Sequence, residues 1–119
     1  MHNIKPSVLT IAGSDSGGGA GIQADLRSFN AFKVYGCSVI TAVTAQNPFE
    51  VRRVDILPAS SVRSQLESVL DAFPIRYAKT GMLANREIIE CVADVAGKYD
   101  LQLIVDPVMA TPFPKSVPR

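Results

Sequence analysis

Apolar residues fall along this chain in two alternating kinds of block. Short unbroken runs, Ser7 to Ala12, Cys37 to Thr44, Ile75 to Thr80 and Leu101 to Val105, are rich in strand-forming residues and predict buried strands. Between them the apolar positions open out to helical spacing. Ile22, Leu26 and Phe29, with Phe32, predict an amphipathic helix over Ala20 to Phe32, with Asp25, Arg27 and Asn30 on its other faces. Val62, Leu66, Val69 and Leu70 predict a second helix ending near Phe73, and Ile88, Ile89, Val92, Val95 and Ala96 a third. Glu50 to Leu57 alternates less cleanly and is expected as an edge strand stopped by Pro58. Ser60 or Ser61 is expected to cap the second helix and Asn85 the third, with Gly97 near the third helix's C-terminal end.

Strands alternating with helices predict an α/β fold with a parallel or mostly parallel sheet covered by helices. Ligands of such sheets bind beyond the carboxyl ends of the strands. Four strand ends carry polar or glycine-rich turns: Gly13-Ser14-Asp15, Gln46-Asn47, Thr80-Gly81-Met82 and Asp106-Pro107. The pattern therefore nominates one site assembled from four separated segments. The end of the chain departs from the scheme. ATPFPKSVPR, Ala110 to Arg119, holds three prolines in ten residues and predicts no helix to cover the last strand. Either the sheet stops there or the chain is truncated relative to its design.

Composition narrows the classes. A chain of 119 residues, 47% hydrophobic and 19% charged, has room for one globular domain with a modest core. The net charge of +1, with no basic stripe, argues against nucleic acid as a partner. No apolar run approaches the roughly 20 residues of a membrane span. The N-terminus has no small-residue cleavage site and reads as a lead-in to a strand, not as a secretion signal. Cys37 and Cys91 lack metal-ligand spacing and are expected as buried thiols in a reducing cytoplasm. The lone histidine, His2, rules out a Ser/His/Asp set among the remaining residues, and there is no cysteine cluster for zinc.

The chemistry concentrates in the glycine cluster Gly17, Gly18, Gly19 and Gly21 and in the strand ends. Gly13 and Gly18 have the spacing of a phosphate-binding P-loop, but Gly19 stands where the lysine is required. Gly17 and Gly19 open a dinucleotide fingerprint that Ile22 breaks. A tight turn with close helix packing and a ligand-contacting turn both remain open. Asp25, near the start of the first helix, suits the helix dipole. Gln46 offers an amide donor and acceptor that can read the edge of a heterocycle or make a loop hydrogen bond. Met82 suits a core or a ligand wall, and Lys79 is structural if it meets a buried partner. Asp106, fixed before Pro107, can hold Mg²⁺ directly or through water.

Four segments in order, AGSDSGGGAGIQADL (Ala12 to Leu26), YGCSVITAVTAQN (Tyr35 to Asn47), KTGML (Lys79 to Leu83) and DPVM (Asp106 to Met109), resemble the hydroxymethylpyrimidine/phosphomethylpyrimidine kinases of thiamine biosynthesis. The resemblance implies a ribokinase-like three-layer α/β/α fold. Residues 1–109 would be the N-terminal part of the kinase domain and residues 110–119 a tail outside it. The family phosphorylates 4-amino-5-hydroxymethyl-2-methylpyrimidine and then its monophosphate, with ATP and Mg²⁺. Carried onto this sequence, the resemblance places Gln46 on the aminopyrimidine edge. It puts Gly13, Met82 and Val108 in the pocket walls, Ala20 and Thr44 close by, Asp25 near the ring, and Asp106 at the magnesium. Thr44 stands where family members often carry valine. The family often forms homo-oligomers. Its members are longer, and their second half brings an Asn-x-x-Glu segment and a Gly-Thr-Gly turn whose helix N-terminus forms the anion hole for phosphoryl transfer. Neither occurs here, so the chain alone is expected to lack kinase turnover, and the change after Ala110 suggests a truncated or frameshifted reading frame. A pyridoxal-kinase-like enzyme, a non-catalytic pyrimidine-binding module and a fragment without function stand as alternatives.

Overall fold

The computed structural model describes residues 6–106. The elements run β1 (Ser7–Asp15), α1 (Gly21–Ala31), β2 (Tyr35–Asn47), β3 (Glu50–Ile56), α2 (Ala59–Ala72), β4 (Tyr77–Thr80), α3 (Arg86–Tyr99) and β5 (Gln102–Val105). They form a five-stranded sheet of order β3-β2-β1-β4-β5. All neighbours are parallel except the β2–β3 pair, which is antiparallel. Helix α1 lies against β1 and β2, whereas α2 and α3 pack on each other across the opposite face. The expected three-layer, mostly parallel α/β/α architecture is therefore the one observed. Val108 and the tail 110–119 lie outside the described residues.

The core is one-sided. Leu9 and Ile11 of β1, Cys37 and Val39 of β2, Val62 and Leu66 of α2, and Ile88, Val92 and Val95 of α3 form one apolar cluster. In contrast, Ile22 is the one buried residue of α1, and Phe32, placed on its apolar side by the sequence pattern, is 80% exposed. Helix α1 makes up for its thin apolar face by close approach. A side chain at Gly36 would strike Phe29 and Leu26, so this glycine serves packing inside β2. Cys37 and Cys91 are free and buried, and burial pushes both thiols up from their usual pKa.

Several ends differ from the sequence pattern. β1 continues three residues past Ala12, through Gly13-Ser14-Asp15. Helix α2 starts after Pro58 with no side-chain cap, so neither Ser60 nor Ser61 has that role. On α3, Ile89 is 51% exposed and Cys91 takes its place in the core. The buried positions Ile88, Cys91, Val92, Val95 and Ala96 follow the i, i+3, i+4, i+7 rule, from which Ile89 deviates. The Asn85 cap is present: its Oδ1 accepts the Ile88 N–H at 2.9 Å. Substituting Asn85 with alanine is expected to lower stability by about 1 kcal/mol, read from the urea midpoint at unchanged slope.

One irregularity matters for the site. The β1–β2 ladder steps from Ala12 opposite Ile40 to Ser14 opposite Val43, a bulge in β2. The amide of Gln65 on α2 serves the bulged strand from the side. Its Oε1 accepts the Ile40 N–H at 2.8 Å, and its Nε2 donates to the Ile40 carbonyl at 2.9 Å. No helix among the described residues is long and apolar enough to cross a membrane.

Candidate functional site

The parallel strands β1, β2, β4 and β5 all end on one edge, and a cavity of about 350 Å³ opens there. Each of the four nominated segments reaches it. Gly13, Ser14 and Asp15 come from β1, Thr44 and Gln46 from β2, Lys79, Gly81 and Met82 from β4 and its exit, and Asp106 from the end of β5. Ala20, Ala24 and Asp25 close the side formed by α1. The structure thus gathers Gly13, Ala20, Asp25, Thr44, Gln46, Met82 and Asp106 around one space.

The glycine-rich turn is built on a carboxylate. Asp15 is 7% exposed and accepts the N–H groups of Gly17 at 2.8 Å, Gly19 at 3.0 Å and Ala20 at 2.9 Å. Its carbonyl also accepts the Gly18 N–H at 2.9 Å. The turn therefore brings its own anion, and these N–H groups are spoken for before any phosphate arrives. The polar turn was legible in the sequence; the use of Asp15 as its hub was not, because Asp-x-Gly-x-Gly is equally compatible with an outward-facing carboxylate. Gln23 ties the same turn to α1: its Oε1 accepts the Asp15 N–H and its Nε2 donates to Ser14 Oγ.

A second cluster crosses the cavity floor. Lys79 Nζ donates to both carboxylate oxygens of Asp25, at 2.9 and 3.1 Å, and Thr10 Oγ1 donates to Oδ2 of the same group at 2.6 Å. Asp106 Oδ2 stands 3.9 Å from Nζ, a looser pair on the more exposed rim. Asp25 lies beyond the first turn of α1, so a bound ammonium, not the helix dipole expected from the sequence, is its main partner. Lys79 is the residue that sequence reasoning undervalued. The only signal was its place one step before a glycine turn, and the partner that makes it structural lies 54 residues away. The 3.9 Å pair with the half-exposed Asp106 is worth little as stability, so its significance is one of position.

The β2 rim is equally specified. Ser16 Oγ accepts the Gln46 N–H at 2.7 Å and donates to the Gln46 carbonyl at 2.8 Å, pinning that main chain to the turn. Thr44 Oγ1 lies 2.8 Å from the Ser14 carbonyl and 3.1 Å from the Gln46 side-chain amide. On the opposite wall, a side chain at Gly13 would meet the end of Met82 at 2.9 Å, so the glycine leaves room for the methionine. The Met82 carbonyl is itself held by Thr41 Oγ1 at 2.7 Å. Among the described residues no three His, Cys, Asp or Glu side chains gather as a metal cluster.

A mostly parallel sheet with helices on both faces and a small-molecule cavity at its strand ends is the architecture of the ribokinase-like kinases. Residues 15–115 match the model of the phosphomethylpyrimidine kinase family, and the chain belongs to that family. It is 56% identical over 110 residues to the hydroxymethylpyrimidine/phosphomethylpyrimidine kinase of Haemophilus influenzae, covering 92% of this chain and 40% of the relative. The crystal structure of phosphomethylpyrimidine kinase from Clostridium difficile 630 superposes with a TM-score of 0.86 at 49% identity, covering 91% of this chain and 47% of that one. The pyridoxal kinase of Staphylococcus aureus in complex with pyridoxal follows at a TM-score of 0.80 and 39% identity, covering 91% of this chain and 41% of that one. The chain spans about 40% of the length of the curated relative it matches.

Proposed function

We propose that this chain supplies the substrate-binding half of a hydroxymethylpyrimidine/phosphomethylpyrimidine kinase. The observation that carries the proposal is the convergence of four strand ends on one cavity of about 350 Å³, at the small end of the range for single-ligand sites. It has apolar walls, one amide and one ammonium–carboxylate cluster. A single six-membered ring with small substituents suits that volume. Gly13, Ala20 and Met82 would contact its faces, and the Gln46 amide would pair with an amino group and ring nitrogen along its edge. Asp25, held by Lys79 and Thr10, stands beside the ring as an acceptor. Val108 is proposed for the remaining wall on the family resemblance alone.

Asp106 suits a role toward Mg²⁺ and ATP phosphates. A hard cation of this kind needs one or two protein carboxylates and takes its other oxygens from water and phosphate, and Asp106 is a rim carboxylate of that type. Bound there, the ion would neutralise charge on the transferring group. What this chain's own residues do is hold the acceptor ring, keep a positive charge on the floor through Lys79, and exclude water along the Gly13–Met82 wall. The family's reaction and small-molecule acceptor are carried to this chain as part of the proposal.

Calorimetry with 4-amino-5-hydroxymethyl-2-methylpyrimidine tests it. Gln46→Ala is expected to weaken binding by about tenfold or more, the loss of one or two hydrogen bonds in a half-buried site. Unchanged affinity in that variant would overturn the placement. The likeness to a pyridoxal-bound kinase supports a second ligand, pyridoxal, and competition between the two rings decides which is preferred.

A further inference from the structure

Thr44 carries a hydroxyl whose hydrogen-bond arithmetic is decisive. The side chain is 5% exposed, and its single proton faces two oxygens, the Ser14 carbonyl at 2.8 Å and the Gln46 Oε1 at 3.1 Å. A hydroxyl donates once and accepts twice, whereas a main-chain carbonyl only accepts. Two oxygens 2.8 Å apart with no proton between them repel, so the proton belongs to Ser14. What Thr44 then offers to Gln46 is a lone pair. An amide oxygen in that place meets lone pair with lone pair, but the amide nitrogen, brought there by a half-turn of the same planar group, donates a hydrogen bond without moving any other atom. The main chain of Gln46 cannot adjust instead, because Ser16 holds both its N–H and its carbonyl.

We propose that Thr44 fixes the Gln46 amide with its nitrogen toward the threonine and its carbonyl oxygen free to the cavity, making the site selective for a ring that bears an amino group over one bearing an oxo group at the same position. The selectivity rests on the pyrimidine-site proposal above. An aminopyrimidine edge shows a donor beside a ring-nitrogen acceptor, and the oxo form shows an acceptor beside a ring N–H. The fixed amide matches the first order and opposes the second. An amide free to turn would accommodate both, because a site discriminates through polar groups that cannot rearrange. Thr44 is in this sense a positioning residue: it acts on the ligand through Gln46.

Thr44→Val keeps the shape and removes the hydroxyl; Thr44→Ser keeps the hydroxyl. Calorimetry would use the 119-residue chain with 4-amino-5-hydroxymethyl-2-methylpyrimidine and with its 4-oxo analogue. The unsubstituted chain and Thr44→Ser should prefer the amino ring, and in Thr44→Val that preference should shrink about tenfold, chiefly by a gain in affinity for the oxo ring. An unchanged ratio in a Thr44→Val variant that melts cooperatively would overturn the proposal. So would a serine variant that loses the preference. A ligand-free measurement decides the orientation even where valine impairs folding. Nuclear Overhauser contacts should link the Gln46 Nε2 protons to the Thr44 methyl group, and their absence would refute the proposed orientation. Binding of neither ring by the unsubstituted chain would sink the proposed function and the selectivity with it, while that contact would still report on the amide.

Discussion

Asp15→Ala is expected to destabilise the chain by about 3 to 5 kcal/mol, because it strips three main-chain N–H groups of their acceptor at once. The turn from Gly17 to Ala20 makes few apolar contacts that could hold it once the carboxylate is gone. Urea denaturation at fixed pH reads the loss, and hydrogen exchange locates it. The amides of Gly17, Gly19 and Ala20 should exchange far faster in the variant, while those of the Leu9–Ile11 ladder keep the protection set by global unfolding. Asp15→Asn is a stringent control. It restores shape and one acceptor oxygen but turns an NH₂ toward donors, so it should recover less than half of the loss. A full recovery would mean that the carboxylate's second oxygen contributes nothing, contrary to the two N–H groups converging on it.

Gly21→Ala should be comparably severe, by a different route. Gly21 opens α1 with φ +63°, in the left-handed region, and a β-carbon there would overlap the Gly13 carbonyl oxygen and approach the Asp15 nitrogen at 3.3 Å. The conformation alone costs an alanine roughly 1 kcal/mol, and the clash is with main chain, which cannot swing aside. A total of at least about 3 kcal/mol is expected, with loss of ligand binding because Gly13 lines the cavity. Gly97→Ala is the matched comparison. Gly97 is an exposed glycine inside α3 with nothing within 4 Å of its would-be β-carbon, and there alanine should stabilise by up to about 1 kcal/mol. Equal effects at the two glycines would overturn the clash and strain assigned to Gly21.

The layered sheet and its functional edge were legible because they rest on periodicity. Runs such as Cys37 to Thr44 and spaced apolar residues such as Val62, Leu66 and Leu70 report burial directly, and alternation of the two forces strand ends onto one side. What the sequence concealed are contacts between distant residues. Lys79 and Asp25 become partners only once β4 lies beside β1. Gln65 looks like any polar residue on a helix until β2 bulges against it. Ser60 and Ser61 have the chemistry of caps, yet Pro58 sets the helix start and leaves both unused. Ile89 is apolar but out of phase with the buried face of α3; Cys91, in phase, is the residue inside.

The bulge in β2 decides which amino acids the cavity sees at all. Strand residues alternate between faces with a period of two, so one inserted residue exchanges the faces of everything that follows. A regular ladder continued from Ala12–Ile40 would set Val43 opposite Asp15; the bulge sets Thr44 there instead. Deleting a single residue between Ile40 and Val43 would therefore remove the bulge and keep Thr44 opposite Asp15, whereas a strand straightened with every residue in place would present Val43 and Ala45 on that face and turn Thr44 and Gln46 away. Gln46 and Thr44 owe their place on the cavity side to a one-residue change of parity, stitched in place from behind by Gln65.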